Sequence, residues 1–594
     1  MVKRQRLSCF KGICGCLLLL PLLTLISCSD NDDKHSSSLP QLSAAESSQL
    51  LTCTDLAGQF SFANTEITAV ETVAAGTLTV GGHDIAEHCL VTGKMNERAS
   101  WVNTAVEDAS YAISFEMRLP VDWNGRFFYQ GNGGLDGSVK TAVGAVSGGG
   151  YLTNALDMGF AVISSDAGHS GNSPFFGLDP QARLDYGYNA VASLTPMAKA
   201  LITAAYGRGP DRSYIGGTSN GGRHTMVAAT REPEEYDGYM VGAPGFHLPK
   251  AAIAQLFGAQ QYAKVIEKEG VTPALSGNSS NLNLAFTQEE RQLVADAILE
   301  KCDALDGATD GMVEDVEGCH NSFNLLTAVP TCTSDRDGTC LSEDQKSAIS
   351  AIYSGARNSQ GEALYNDWPY DPGLISSGWA AWEFDNSVTN RDPVSVAFVF
   401  MSPPEDPSVN DDTLGYALDF NMDTDAPKIF ETSGIYTESA WSFMTPVNET
   451  NLSVLRDRGA KMIVYHGTCD PVFSVNDTTD WYDAVTEAND GDATDFVRFF
   501  RVPGMSHSRN GIATDQFDAL SALVDWVEKG VKPDRIIATA RGDVNNPGGQ
   551  NTEIPDSWDP NRTRPLCPYP KIAVFTGTDA TSDQIEDAAN FTCQ

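Results

Sequence analysis

Three segments of this 594-residue chain hold the residue types that acyl transfer from a serine requires. Gly217-Thr218-Ser219-Asn220-Gly221 fits the pattern G-x-S-x-G. Where a strand turns sharply into a helix there is no room for side chains beside the serine, so glycines flank it. The hydroxyl is then lifted above the sheet at the amino end of the helix. A serine hydroxyl needs a base to take its proton, and the base needs a carboxylate to orient it. Asp470 lies in Tyr465-His466-Gly467-Thr468-Cys469-Asp470-Pro471, and His507 in Val502-Pro503-Gly504-Met505-Ser506-His507. Both fall just past an apolar run, and the chain order serine, acid, histidine suits a strand–turn–helix nucleophile. The competing Gly168-His169-Ser170-Gly171-Asn172 lacks the last glycine, and His466 is too near Asp470 in sequence to form a separate arm. The developing oxyanion needs two backbone N–H donors. The residue after the serine, Asn220, supplies one. Gln130-Gly131-Asn132-Gly133-Gly134 supplies the other, with Gly133 the first choice and Gly134 next.

These residues need a scaffold that delivers them to one edge. Residues 113–119 alternate like a half-buried strand. Residues 126–130, 160–164, 213–216, 239–242, 461–465 and 496–502 read as further strands, and 196–206, 224–230 and 515–529 as helices. Pro196 is expected in the first turn of its helix. Strands alternating with helices predict an α/β fold with a mostly parallel sheet covered on both faces. The rhythm lapses between about residues 250 and 455, which predicts one sheet domain split by an insertion: sheet-domain parts at 49–250 and 459–594, and the insertion at 251–458.

The net charge is −39, which argues against a nucleic-acid partner. Lys3, Arg4 and Arg6 precede a short apolar stretch over residues 14–26, as in a secretory signal. Its end, Leu25-Ile26-Ser27-Cys28, resembles a bacterial lipobox. Residues 1–27 then read as a removed signal, Cys28 as the lipidated first residue, and 28–48 as a flexible tether. With Ser29 after the cysteine, the expectation for a Gram-negative cell is an outer-membrane lipoprotein, touching the membrane only through that anchor, and otherwise a periplasmic or secreted protein. An exported chain uses its cysteines for disulfides. Local spacing favours Cys53–Cys89, Cys302–Cys319, Cys332–Cys340 and Cys567–Cys593, with Cys469 left alone, although sequence does not fix connectivity.

Asp166-Ala167-Gly168-His169, Asp185-Tyr186-Gly187-Tyr188, the run from Tyr206 to Ser213, the nucleophile motif through Arg223 and Gly242-Ala243-Pro244 together resemble the tannase/feruloyl esterase family of α/β-hydrolases. The acid and histidine motifs are similar too. The resemblance implies an α/β-hydrolase fold with a large inserted lid and a serine carboxylesterase acting on small esters of phenolic or other aromatic acids, with no organic cofactor. It also implies a structural calcium ion in the lid, in Cys302-Asp303-Ala304-Leu305-Asp306-Gly307-Ala308-Thr309-Asp310-Gly311-Met312. The side chains of Asp303, Asp306 and Asp310 and the carbonyls of Ala308 and Met312 would hold it. The sequence departs from the family at one place. Members usually carry cysteines before the serine and after the histidine, joined as a disulfide, where this chain has Thr218 and Ser508. A hydrogen bond between these hydroxyls, or looser packing, would then hold the loops. Two rival readings are an esterase for aliphatic or hydroxy-acid oligomers and a non-catalytic surface binding protein on the same fold. An intact triad argues against the second.

Overall fold

The computed structural model describes residues 39–102, 110–145, 153–389, 391–580 and 583–594. The signal and Cys28 lie outside them. Nine strands form the central sheet: β1 (Thr65–Val73), β2 (His88–Ala99), β3 (Ser110–Pro120), β4 (Arg126–Gly131), β5 (Ala161–Ser165), β6 (Arg212–Thr218), β7 (Gly238–Gly242), β8 (Lys461–Gly467) and β9 (Val497–Val502). Their order across the sheet is β9-β8-β7-β6-β4-β5-β3-β2-β1. The first six in that order are parallel, and β3, β2 and β1 follow antiparallel. The parallel expectation therefore holds for the part that bears the candidate site, while the amino-terminal strands form a meander.

Both faces of the parallel part of the sheet are buried, and the residues divide with the period of two that a pleat imposes. Phe127, Tyr129, Tyr239, Val241, Met462 and Val464 enter one core. Phe128, Met240, Ile463 and Tyr465 enter the other. Helices α1 (Ala190–Tyr206) and α2 (Asn220–Arg231) bury residues in the first, and α6 (Ala519–Lys529) in the second. Three expected boundaries shift. Helix α1 starts at Ala190, which puts Pro196 inside it rather than in its first turn, because Val191 and Leu194 are drawn into the core. Helix α6 starts at Ala519, where Asp518 caps it, because Gln516 and Phe517 pair as a short strand with Ala538 and Thr539. The expected tether is docked from its second half. Gln41 Nε2 donates to Val527 O, the N–H groups of Ala45 and Glu46 donate to Glu528 and Asp211, and Ser48–Gln49 pairs with Asp122–Trp123.

None of the nine strands comes from residues 243–460. That stretch opens with α3 (Leu248–Lys268) and continues through α4 (Gln288–Cys302) and many short helices. Its two ends meet at one ion cluster. His247, just before α3, bonds Asp477 at 3.0 Å on α5 (Val475–Ala488) and Glu449 at 2.8 Å. Burial alone would make the imidazole less basic, but the two carboxylates outweigh it and raise its pKa to about 9. A group whose folded pKa exceeds its unfolded value of about 6.5 stabilises fully below that value and loses the contribution as pH rises through the folded pKa. The expected result is a fall in stability on the order of 2 kcal/mol between pH 6.5 and 9. Urea unfolding of wild type and His247→Gln across that range checks it, with the variant's profile flatter.

Disulfides join Cys53–Cys89, Cys302–Cys319, Cys332–Cys340 and Cys567–Cys593, the pairs that local spacing favours. Cys469 is unpaired and buried.

Candidate active site

Ser219 stands between β6 and α2 with φ of 61°, a left-handed conformation that a side-chain-bearing residue keeps only when its surroundings over-determine it. The surroundings are backbone. A Cβ on Gly217 would lie 2.4 Å from Gly131 O, and one on Gly221 would lie 2.3 Å from the same atom. Ser219 N donates to Gly242 O at 3.0 Å, fastening the turn to β7. The motif's glycines thus permit β4, β6 and α2 to touch.

Asp470 follows the carboxyl end of β8 and His507 follows β9, so the parallel register carries both to the edge where Ser219 stands. His507 Nε2 lies 2.9 Å from Ser219 Oγ, and His507 Nδ1 lies 2.8 Å from Asp470 Oδ2. The other oxygen of Asp470 accepts from the N–H groups of Val472 and Phe473 at 2.8 and 3.2 Å. Burial would raise the Asp470 pKa, but His507 and His466 outweigh it and hold the carboxyl well below the usual range. The rival histidine therefore has a place of its own. His466 is fully buried behind the acid, with Nε2 3.2 Å from Asp470 Oδ2 and Nδ1 2.9 Å from Thr478 Oγ1.

The Thr218 and Ser508 positions do not bond to one another. Ser508 Oγ is buried with no hydrogen-bond partner among the described residues, and its backbone is left-handed at φ 67°. The fastening comes instead from the insertion. Asp371 is buried, and its Oδ2 accepts from Thr468 Oγ1 at 2.6 Å and from Gly504 N at 3.3 Å, while its Oδ1 accepts from Gly373 N at 2.8 Å. Thr468 belongs to the loop of Asp470 and Gly504 to that of His507, so one carboxylate from the insertion joins both. Asp371→Ala leaves three buried donors without this acceptor and should cost about 2–4 kcal/mol, measured by chemical denaturation.

Above the triad is a cavity of about 430 Å³. Ser219, Asn220, Gly134 and His507 form its floor; Tyr186, Leu248, Trp382, Phe400 and Phe473 give it aromatic and apolar walls, and Arg391 and Asp392 form an ion pair at 3.0 Å. Trp382 and Phe473 both meet the His507 ring edge-on, with centroids 5.5 and 5.3 Å away. Of the expected oxyanion glycines, Gly134 lines the cavity, while a Cβ on Gly133 would lie 3.9 Å from Ser219 Cβ. Sequence patterning did not single out Trp382 from Trp368, Trp379 and Trp441, because composition does not say which indole faces a cleft.

The candidate calcium loop lies apart from this cavity. Asp303 accepts from the N–H groups of Asp310 and Gly311, Asp306 from that of Ala308, and Asp310 from that of Met312. Asp310 also pairs with Arg564, and the Cys302–Cys319 bridge closes the loop. Among the described residues, no three acidic, histidine or cysteine side chains converge as a ready-made metal centre. Yet Asp306 Oδ2 and Glu314 Oε1 are buried and accept no hydrogen bond from the described residues.

Fold and site together define an α/β-hydrolase with an aligned Ser–His–Asp set. A sequence model described as tannase and feruloyl esterase matches residues 89–594. The chain is 38% identical over 564 residues to mono(2-hydroxyethyl) terephthalate hydrolase of Piscinibacter sakaiensis, covering 89% of this chain and 88% of that protein. It is 28% identical over 563 residues to feruloyl esterase C of Talaromyces stipitatus, covering 90% and 93%. The solved structure of feruloyl esterase B from Aspergillus oryzae, 22% identical, aligns with a TM-score of 0.67 over 91% of this chain and 99% of that one, a likeness of fold. The chain belongs to the tannase and feruloyl esterase family. Its class is that of the carboxylic ester hydrolases.

Proposed function

We propose that this protein is an exported serine esterase that hydrolyses esters of phenolic or other aromatic acids. The observation that carries the reading is the hydrogen-bonded row Ser219–His507–Asp470 beneath an aromatic-walled cavity. Ser219 Oγ attacks the ester carbonyl carbon while His507 Nε2 takes its proton, and Asp470 steadies the resulting imidazolium. The N–H groups of Asn220 and Gly133 hold the oxyanion. His507 returns the proton to the departing alkoxide, leaving an acyl-enzyme. Water, activated by the same imidazole, releases the acid. Relatives named for feruloyl and terephthalate esters and the walls of Trp382 and Phe473 favour a flat aromatic acyl group over an aliphatic one. A panel of methyl ferulate, methyl gallate and aliphatic esters of equal length tests this. The expected result is kcat/KM at least tenfold higher for the aromatic set; a preference for aliphatic esters would replace this reading with the aliphatic one.

We also propose that Asp303, Asp306 and Asp310, with the carbonyls of Ala308 and Met312, hold a structural calcium ion. The unpartnered buried oxygens of Asp306 and Glu314 support a cation there, since a buried carboxylate without compensation is costly. A chelator is expected to lower the melting temperature by about 2 °C, with recovery on adding calcium, an effect on the order of 2 kcal/mol for a chain of this size. Unchanged melting would remove the ion from the account. For location, we propose export with Cys28 as a lipid anchor. The four disulfides suit an oxidising compartment, and among the described residues no helix is long and apolar enough to cross a membrane.

A further inference from the structure

The two backbone donors assigned to the oxyanion come from different segments, and nothing in the triad sets the distance between them. A buried polar ring joins these segments. Asp136, five residues past the end of β4, is 5% exposed and sits at φ 56°. It does not line the cavity. Its Oδ2 accepts from Asn220 Nδ2 at 2.7 Å and lies 2.9 Å from His224 Nε2. Burial, with Arg223 alongside, holds the His224 pKa below its ordinary value, so the ring is neutral near pH 7. A neutral imidazole that donates from Nε2 to Asp136 leaves Nδ1 free to accept, and Arg223 Nη2 lies 3.3 Å from it.

Asn220 is held at both ends. Its Nδ2 meets Asp136, and its Oδ1 accepts from Arg223 Nε at 2.6 Å. Arg223 also donates to the carbonyls of Gly187 and Tyr186 at 2.7 and 2.9 Å, and the Tyr186 hydroxyl donates to Gly134 O at 3.2 Å. The path thus returns to the glycine loop, closing a circuit around Gly133, Gly134 and the amino end of α2. Asn132 extends the support, donating from Nδ2 to Ser165 O at 2.7 Å and Ser164 Oγ at 3.0 Å on β5.

We propose that Asp136 is a positioning residue for the oxyanion hole, its carboxylate setting the separation of the Gly133 and Asn220 N–H groups through the Asn220 amide and His224. The inference rests on the serine-esterase reading above. Donors help most when aimed at the charge that develops in the transition state, and a displacement near 1 Å costs on the order of 100-fold in rate. Asp136 does not touch substrate, so its loss should affect kcat rather than KM.

The test compares wild type, Asp136→Ala and Asp136→Asn, using a p-nitrophenyl aromatic ester, an arylboronic acid and the product acid. The boronic acid bonds to Ser219 Oγ and places an oxygen where the oxyanion forms. In Asp136→Ala, kcat is expected to fall roughly 30- to 100-fold with KM changed less than threefold. Boronate affinity is expected to fall by a similar factor, and product affinity to stay the same. Asp136→Asn keeps one acceptor oxygen and is expected to recover most of the loss. Should Asp136→Ala fail to fold, Asn220→Ala, which keeps the backbone N–H and removes the amide, is expected to show the same split. A folded Asp136→Ala within threefold of wild-type kcat overturns the proposal, as does a fall in kcat with unchanged boronate affinity. Wild-type turnover that disappears in Ser219→Ala upholds the esterase reading separately, so either result would sink the positioning role alone.

Discussion

Ser219→Ala is expected to lower kcat for p-nitrophenyl esters by at least about 10⁴-fold, with melting temperature unchanged. Removing a triad nucleophile typically costs about 10⁶ in kcat, and the oxyanion donors and binding cavity leave a residue of rate over water. The fold should tolerate the change. Alanine has the same Cβ as serine at the φ 61° position, and the tightly packed groups around it are the backbones of Gly131, Gly217 and Gly221. The same variant should stop reacting with a fluorophosphonate probe. Wild-type turnover in Ser219→Ala would mean that the reaction occurs elsewhere, and unreactive wild type would revive the binding-protein reading.

Asp470→Asn should be nearly as damaging, for a different reason. Every hydrogen bond the structure gives this carboxylate is accepted from a donor: His507 and His466 on one oxygen, and the N–H groups of Val472 and Phe473 on the other. An amide set there in either orientation turns its NH₂ toward donors. The imidazole then loses the partner that fixes its tautomer, a change worth about 10⁴ in kcat in triad enzymes. Stability should also fall by about 2–3 kcal/mol, because buried donors are left unsatisfied. Because the folded carboxyl has a depressed pKa, its contribution is present above about pH 4 and is lost as pH falls through the folded value. The acid side of the wild-type stability profile should therefore be steeper than that of Asp470→Asn. Equal kcat in the two proteins would exclude Asp470 as the orienting acid.

The motifs at Ser219, Asp470 and His507 were legible in the sequence because a strand–turn–helix nucleophile and strand-end loops have local requirements: glycines where backbones touch, and chain order where strands are parallel. The strands β7 and β8 were legible as short apolar runs, because strands of a parallel sheet are buried on both faces, but which residue enters which core was not. The boundaries of α1 and α6 were less so. They depend on which residues the core draws in and on a two-residue strand pairing, both of which are long-range. The role of Asp371 was not legible at all, because nothing near it in sequence points to Thr468 and Gly504, about a hundred residues away or more.

Residue types and their order along the chain were thus enough to select Ser219, His507 and Asp470, the three side chains that the structure sets in one hydrogen-bonded row, because each carries its own local backbone constraint. Only the tertiary structure decided what surrounds them: Trp382 and Phe473 against the imidazole, His466 behind the acid, Asp371 between two loops and Asp136 beneath the glycine turn. Buried polar side chains find their partners across large sequence separations, and no period or motif records a contact made through space.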